Sequence, residues 1–536
     1  MSLQENWNPE MPDDTAQIGQ GILKENDPYR LVGDRVNTFL TLKDFRSLYS
    51  ELGRGAICPI ILSLITVFQF LENIPDRVAA KWAVTRIDWK YALHLPLAWA
   101  GFNYSTLSNF RTRLIEHGEE RLLFERVLEW VRSLGFIEKF GKQRTDSTHI
   151  IGCIERLSRL ELAWETLRTA LHAIEKGAPR WYGEVIPAAF HQAYAERQSD
   201  WRLSKEEAKA KMKEAGADGF WLLDRLDESA PEEVLRLSEV ETLREVWEQQ
   251  FERKEDSPKV TVRKPPIKGK GVIDTPHDKD ARWAEKRGND WVGYRLQVSE
   301  TAEEDAEKQF ITDIDAVDAN SDDSEAVDEI QERLIGRTLK PEEHYVDRGY
   351  VSGAKLARSG DRGIELMGLA PLDNSRKPEE YKQGAFKIDF ERQEAICPEG
   401  KVSKRWYERP PVEGYVGVDI HFKDQCDGCV ARGQCAPGRD GRILSVSPYY
   451  KELKERRAEQ ETAAFKERMK RRPAVEGTIS ELTRKHGIRR ARYRGKGKTR
   501  LQALFTGAAA NLKRLSQALE LRDQAPVRVK RGAQAT

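Results

Sequence analysis

The sequence predicts an α/β protein with an all-α segment before its core, a helical insertion inside it and a loop-rich, cysteine-containing insertion late in it. Three observations predict this. NDWVGYRLQVSET alternates, with Val292, Tyr294, Leu296 and Val298 on one side, as a half-buried strand does. Past residue 259, strand-like and helix-like patterns take turns, which is the signature of α/β layering. Residues 28–140 and 153–258 instead carry helical spacing throughout.

The bulk numbers set limits. A chain of 536 residues with 39% hydrophobic and 33% charged residues can build several cores beneath a large solvated surface. Its net charge of +1 announces no nucleic-acid partner, so any basic footprint must be local. The N-terminus, MSLQENWNPEMPDDT, is polar and acidic, and lacks a basic stretch followed by an apolar one. The longest apolar run, CPIILSLITVFQFL at 58–71, is too short to span a bilayer and reads as a core helix. Six cysteines are too few for a disulfide scaffold in a chain of this size. The expectation is a soluble cytoplasmic protein.

Taken in order, 28–140 reads as a compact helical segment. Thr41 can cap TLKDFRSLYSEL, and Pro59 sits where a helix start tolerates proline. In NYSTLSNFRTRLIEHG, Ser105 or Thr106 can cap, Phe110 and Leu114 share a face, Arg111 and Arg113 point elsewhere, and Gly118 stops the helix. This is compatible with a helix-turn-helix reader of DNA, although on pattern alone a plain helical bundle is the better reading. Residues 141–152 form the first core strand, carrying Asp146 and, close behind, His149, which is expected to pack locally. The 153–258 insertion is charged and helical and carries no catalytic signature. SPKVTVRKPPIKGKG is a linker. The core resumes over 259–371: a strand at 289–301, a helix in SEAVDEIQERLIG, a strand into HYVDRGY, a short helix and another strand. Residues 372–445 break into loops and short strands with four cysteines. Residues 446–515 are helical and basic. The stretch 464–500 holds 14 Lys and Arg against 3 Glu, a local phosphate-attracting surface. Residues 516–536 read as a tail that frays at its end.

Asp146 and Asp347 both fall at strand ends, 201 positions apart. Glu476 lies near the start of a helix within the basic stretch, with Arg471 and Arg472 one turn before it. Each alone has an ordinary reading: turn former, cap, or dipole partner. Together they suit phosphodiester chemistry, in which three converging carboxylates hold two Mg²⁺ ions about 3.5–4 Å apart. Cys397, Cys426, Cys429 and Cys435 have spacing that fits a Cys₄ zinc site, or they are four reduced structural cysteines. Cys58 and Cys153 read as core residues.

These segments, in order, resemble the bacterial insertion-sequence transposases of the DDE type, most closely the group numbered eleven-eighty-two. The resemblance runs from about residue 28 to 515. It is carried by the 45–95 stretch with STLSNFRTRL, then RTDSTHI, DKDARWAEKRGNDWVGYRLQV, HYVDRGYVSG, and RRPAVEGTISELTRKHGIRRARYRG with AAANLKRL. It implies a ribonuclease-H-like catalytic core with an N-terminal helical DNA-binding domain. It implies that Asp146, Asp347 and Glu476 are the catalytic, Mg²⁺-binding triad, with Mn²⁺ able to substitute. Arg472 matches an arginine that contacts DNA, and Arg484, Lys485, Arg111 and Arg113 are further candidates for DNA contact. Two positions depart from the family pattern: Met469 stands where a tyrosine is common, and Thr483 where a lysine is. The implied activity is cutting at the inverted-repeat ends of an insertion sequence and joining of the 3′-hydroxyl ends to target DNA. The implied setting is a homodimeric synaptic complex on double-stranded DNA, in the bacterial nucleoid and away from any membrane. The alternatives are a metal-dependent nuclease of the same fold and a DNA-binding protein without catalysis.

Overall fold

The computed structural model describes residues 2–3, 6–154, 156–253, 259–264, 271–286, 288–372 and 375–524. The helical N-terminal part begins earlier than expected, at Asp13–Ile22, and ends with Leu122–Ser133. Its centre is the helix Pro59–Leu71, in which every residue from Pro59 to Phe70 is buried. Such a helix needs apolar neighbours on all sides. One of them is the long C-terminal helix Lys496–Gln524, met through stacked Phe70 and Phe505 rings 5.9 Å apart. One apolar cluster runs from Tyr29 to Ala518, through this helical part and the sheet. Cys58 lies in that cluster as expected, whereas Cys153 is exposed just past the first strand. No helix among the described residues is long and apolar enough to cross a membrane.

The first strand, β1, is Gln143–Ile151. The helical insertion follows, from Arg159–Gly177 to Ser238–Gln250, closed by the small ribbon of β2, Phe251–Arg253, and β3, Val260–Val262. It has its own apolar cluster, which includes Ile273 and packs Val260 and Val262. The packing of the insertion thus reaches past residue 258, to Ile273. Of the expected linker, residues 257–258 and 265–270 lie outside the described residues.

The sheet resumes with β4, Arg282–Lys286, β5, Asn289–Thr301, and β6, Ile311–Asp318. After the helix Asp323–Gly336 come β7, Glu343–Tyr345, and β8, Glu365–Met367, with the helix Gly353–Asp361 between them. β1 pairs antiparallel with β5 and parallel with β7, β7 is parallel with β8, and β4 and β6 both pair antiparallel with β5. β5 was expected to be half-buried, yet Gln297 and Ser299 on its second face are buried too, because packing covers both faces. β6 adds a strand to the sequence reading. Its acidic positions are masked as loop-like by Asp313 and Asp315, which are buried and paired with Arg333 at 2.7 Å and Arg121 at 2.6 Å.

The cysteine-containing insertion forms two small sheets. β9, Lys387–Asp389, pairs with β10, Glu394–Ile396, and β11, Arg405–Glu408, pairs with β12, Val418–His421, which pairs with β13, Ile443–Val446. The chain ends in helices, among them Val475–Arg484 and Lys496–Gln524. The last of them reaches Gln524; residues 525–536 lie outside the described residues.

Candidate active site

The sheet register brings the first two carboxylates together. β1 and β7 are parallel neighbours, with Gln143 opposite His344 and Arg144 opposite Tyr345. Their numbers differ by 201, the same offset that separates Asp146 from Asp347, so the two aspartates stand level just where the pairing stops. Asp347 leaves the strand as the cap of a short 3₁₀ turn, Arg348–Tyr350, and its Oδ1 accepts the Arg348 N–H at 2.9 Å. Asp146 Oδ1 accepts the Ser147 N–H at 2.8 Å. In both, one carboxylate oxygen is tied to the backbone and the other is turned towards Arg472.

Glu476 sits in the first turn of the helix Val475–Arg484, with Arg472 four residues before it in a 3₁₀ turn. The Arg472 guanidinium joins all three acids. Nη2 lies 2.8 Å from Asp146 Oδ2 and 3.6 Å from Asp347 Oδ2, and Nη1 lies 3.1 Å from Glu476 Oε1. The structure thus gathers Asp146, Asp347 and Glu476 around one point of positive charge. Asp146 is the least exposed, with 14% of its side chain accessible against 57% for Asp347 and 64% for Glu476. Burial pushes its carboxyl up, against the lowering pull of Arg472, the Ser147 N–H and Lys286.

What holds the Val475–Arg484 helix over the sheet was not visible in the sequence. Glu300 on β5 is fully buried and accepts from Arg144 Nε at 2.6 Å, from Arg514 Nη1 at 3.0 Å and from the Thr478 hydroxyl. Arg514 also donates to Thr478 Oγ1 at 2.6 Å and to Glu481 at 2.9 Å. One carboxylate thereby ties β1, β5, the glutamate-bearing helix and the C-terminal helix into one unit. Nearby, His344 bonds Thr145 through Nε2 at 2.7 Å, and burial holds it neutral, down to about 4.

The remaining sequence candidates divide. Arg484 and Lys485 are exposed at the end of the same helix. Arg111 is corrected: it is 5% exposed, ion-paired with Asp76 and stacked 4.9 Å from the Tyr493 ring, so it is a packing residue and not free to meet DNA. Arg113 is likewise engaged, 4.4 Å over Tyr49 and donating to Leu48 O at 3.4 Å. His149 packs locally, its ring 5.0 Å from Trp291. These two, with Lys286 and Arg295, line a cleft of about 240 Å³ beside Ser147.

Among the described residues no group of three or more His, Cys, Asp or Glu side chains stands ready to hold a metal as placed. At the triad the reason is plain, since Arg472 takes the middle. The donor set itself, three carboxylates from three elements within reach of one cationic group, fits a hard divalent ion.

Two family models match the chain. Residues 18–113 match a transposase domain (DUF772), and residues 396–516 match a transposase DDE domain. The second span contains Arg472, Glu476 and the four late cysteines; both aspartates lie before it. No curated protein matches the chain, and no solved structure does.

Proposed function

We propose that the chain, whose residues 18–113 and 396–516 match transposase models, is a DDE transposase of an insertion sequence, and that Asp146, Asp347 and Glu476 cut and rejoin DNA at the ends of a mobile element. The observation that carries this is their meeting at Arg472 from three elements far apart in the chain. The strand order β6-β5-β1-β7-β8, with β5 antiparallel and β7 and β8 parallel to β1, supports a ribonuclease-H-like core.

Asp146, Asp347 and Glu476 would hold a pair of Mg²⁺ ions, or Mn²⁺ in their place, which would supply an activated water and neutralise the leaving oxygen. Asp146 would do so from β1, Asp347 from just past the end of β7 and Glu476 from its helix. Their backbone hydrogen bonds fix Asp146 and Asp347 in position, and the Glu300 cluster fixes Glu476. Arg472, once its acids are otherwise neutralised, is placed to grip a phosphate, as are the exposed Arg484 and Lys485. Hydrolysis at the inverted-repeat end frees a 3′-hydroxyl, which then attacks a target phosphodiester at the same site, so no covalent protein intermediate is needed. Bringing two ends together calls for at least a homodimer on double-stranded DNA, working in the bacterial nucleoid.

The test is strand cleavage and joining on a duplex carrying the flanking inverted repeat, with Mg²⁺ or EDTA. We expect metal-dependent nicking with joined product. Asp347→Asn should reduce it about a thousandfold, the several kcal/mol a metal site supplies, with DNA binding kept. Undiminished cutting by that variant would remove Asp347 from the triad. Cutting without joining would favour a nuclease, and binding without cutting a DNA-binding protein.

A further inference from the structure

The four late thiols take no part in the proposed chemistry. Cys397, Cys426, Cys429 and Cys435 are free and half-buried, and all four line one cavity of about 20 Å³. That is room for a single water-sized occupant, but the wall is almost wholly apolar and would leave a water short of partners. Four sulfur atoms around such a space are a poor water site and a good soft-metal site.

Two of these sulfurs accept backbone hydrogen bonds. The Lys401 N–H donates to Cys397 Sγ at 3.2 Å, and the Arg442 N–H to Cys426 Sγ at 3.3 Å. Each of these cysteines opens a tight turn. Gly400 N–H donates to Cys397 O at 2.9 Å and Cys429 N–H to Cys426 O at 3.3 Å, with Gly400 and Gly428 at φ +76° and +68°, a left-handed conformation that favours glycine. The insertion also needs a staple. Its own apolar cluster has eight buried side chains among the described residues, a small core for two separate small sheets.

We propose that Cys397, Cys426, Cys429 and Cys435 bind one structural zinc ion that clasps the turn after β10 to the loop between β12 and β13. Four thiolates complete a tetrahedron and leave no open position, so the site holds structure and does no chemistry. As placed, the sulfurs line the cavity without meeting at coordinating distance. Zinc–thiolate bonds of about 2.3 Å call for these cysteines, which line one cavity, to close in on a shared ion.

The experiment uses the full chain, purified under reducing conditions without chelator. Metal analysis should find about one equivalent of zinc per chain, the number a single four-thiolate site holds. Protein stripped of metal and titrated with Co²⁺ should show thiolate-to-cobalt charge-transfer bands and the d–d bands of a tetrahedral site. Cys426→Ser with Cys429→Ser should abolish both, and Cys153→Ser should keep them. Should the double variant not fold, the wild-type cobalt titration still decides. Absence of thiolate bands, with four thiols reacting freely whether or not metal was supplied, overturns the proposal. A Cys426–Cys429 disulfide in the reduced preparation overturns it too. None of these readings depends on DNA cleavage, so failure of the zinc site and failure of the transposase reading are separable.

Discussion

Arg472 is the residue through which the three carboxylates touch. Three acids converging without a counter-charge would repel one another, and Asp146 is already pushed towards its neutral form by burial. One guanidinium at 2.8, 3.1 and 3.6 Å relieves this without metal. A divalent ion must therefore compete with it. Arg472→Gln removes the competitor but keeps a polar side chain of similar length. It should raise Mg²⁺ affinity in the absence of DNA by about tenfold or more, since a unit charge about 4 Å away is worth about 1–4 kcal/mol depending on screening. It should also weaken binding of the inverted-repeat duplex. Calorimetric Mg²⁺ titration of DNA-free protein measures the first; unchanged affinity would mean that the arginine and the ion do not share the space. The spacing of Arg472 to Glu476, one helical turn, was legible in the sequence. Its reach to Asp146, 326 positions away, was not.

Elements decide where Glu476 stands. Its helix is held by one buried carboxylate, Glu300, whose partners Arg144 and Arg514 lie 156 and 214 positions away. Removing one of the two leaves a buried charge only partly compensated, which costs up to about 3–5 kcal/mol. Arg514→Ala should therefore lower stability by that order in urea unfolding and reduce cleavage. Arg514→Lys should recover part of both, because a cation remains but the forked contact to Thr478 and Glu481 is lost. A stability change under about 1 kcal/mol for the alanine variant would place the anchor elsewhere. In the sequence, Glu300 looks like one more acid at a strand end. The alternation that marks β5 was readable, but the burial of its second face was not, because periodicity reports one covered face and says nothing of what covers the other.

At the scale of the molecule, two apolar clusters behave differently. The N-terminal helices share theirs with the sheet and the C-terminal helix, so they cannot be removed without exposing it. The helical insertion has its own. The chain leaves the sheet at Ile151 and returns at Arg282, and both are partnered with Gly293 on β5. Departure and return are thus two strand spacings apart, about 10 Å. Replacing 156–273 with a short Gly/Ser linker should leave a folded protein with one cooperative thermal transition, whereas deleting 13–133 should not. Circular dichroism and calorimetry check both; loss of cooperativity on excising the insertion would show that it supports the sheet.

The sequence by itself determined the order of the parts, the fully apolar helix at 59–71, the basic stretch at 464–500 and the three acids with the 201-residue offset of the first two. All of these are local patterns or matched motifs, written in spacing and residue type. Only the tertiary structure decided that Arg111 is buried against Asp76 and Tyr493, that the N-terminal helices and the sheet share one core, that Glu300 anchors the glutamate helix and that Arg472 joins the triad. Each of those depends on pairings between elements distant in sequence, and a pairing across hundreds of residues is set by packing and burial, which leave no periodic trace in the chain.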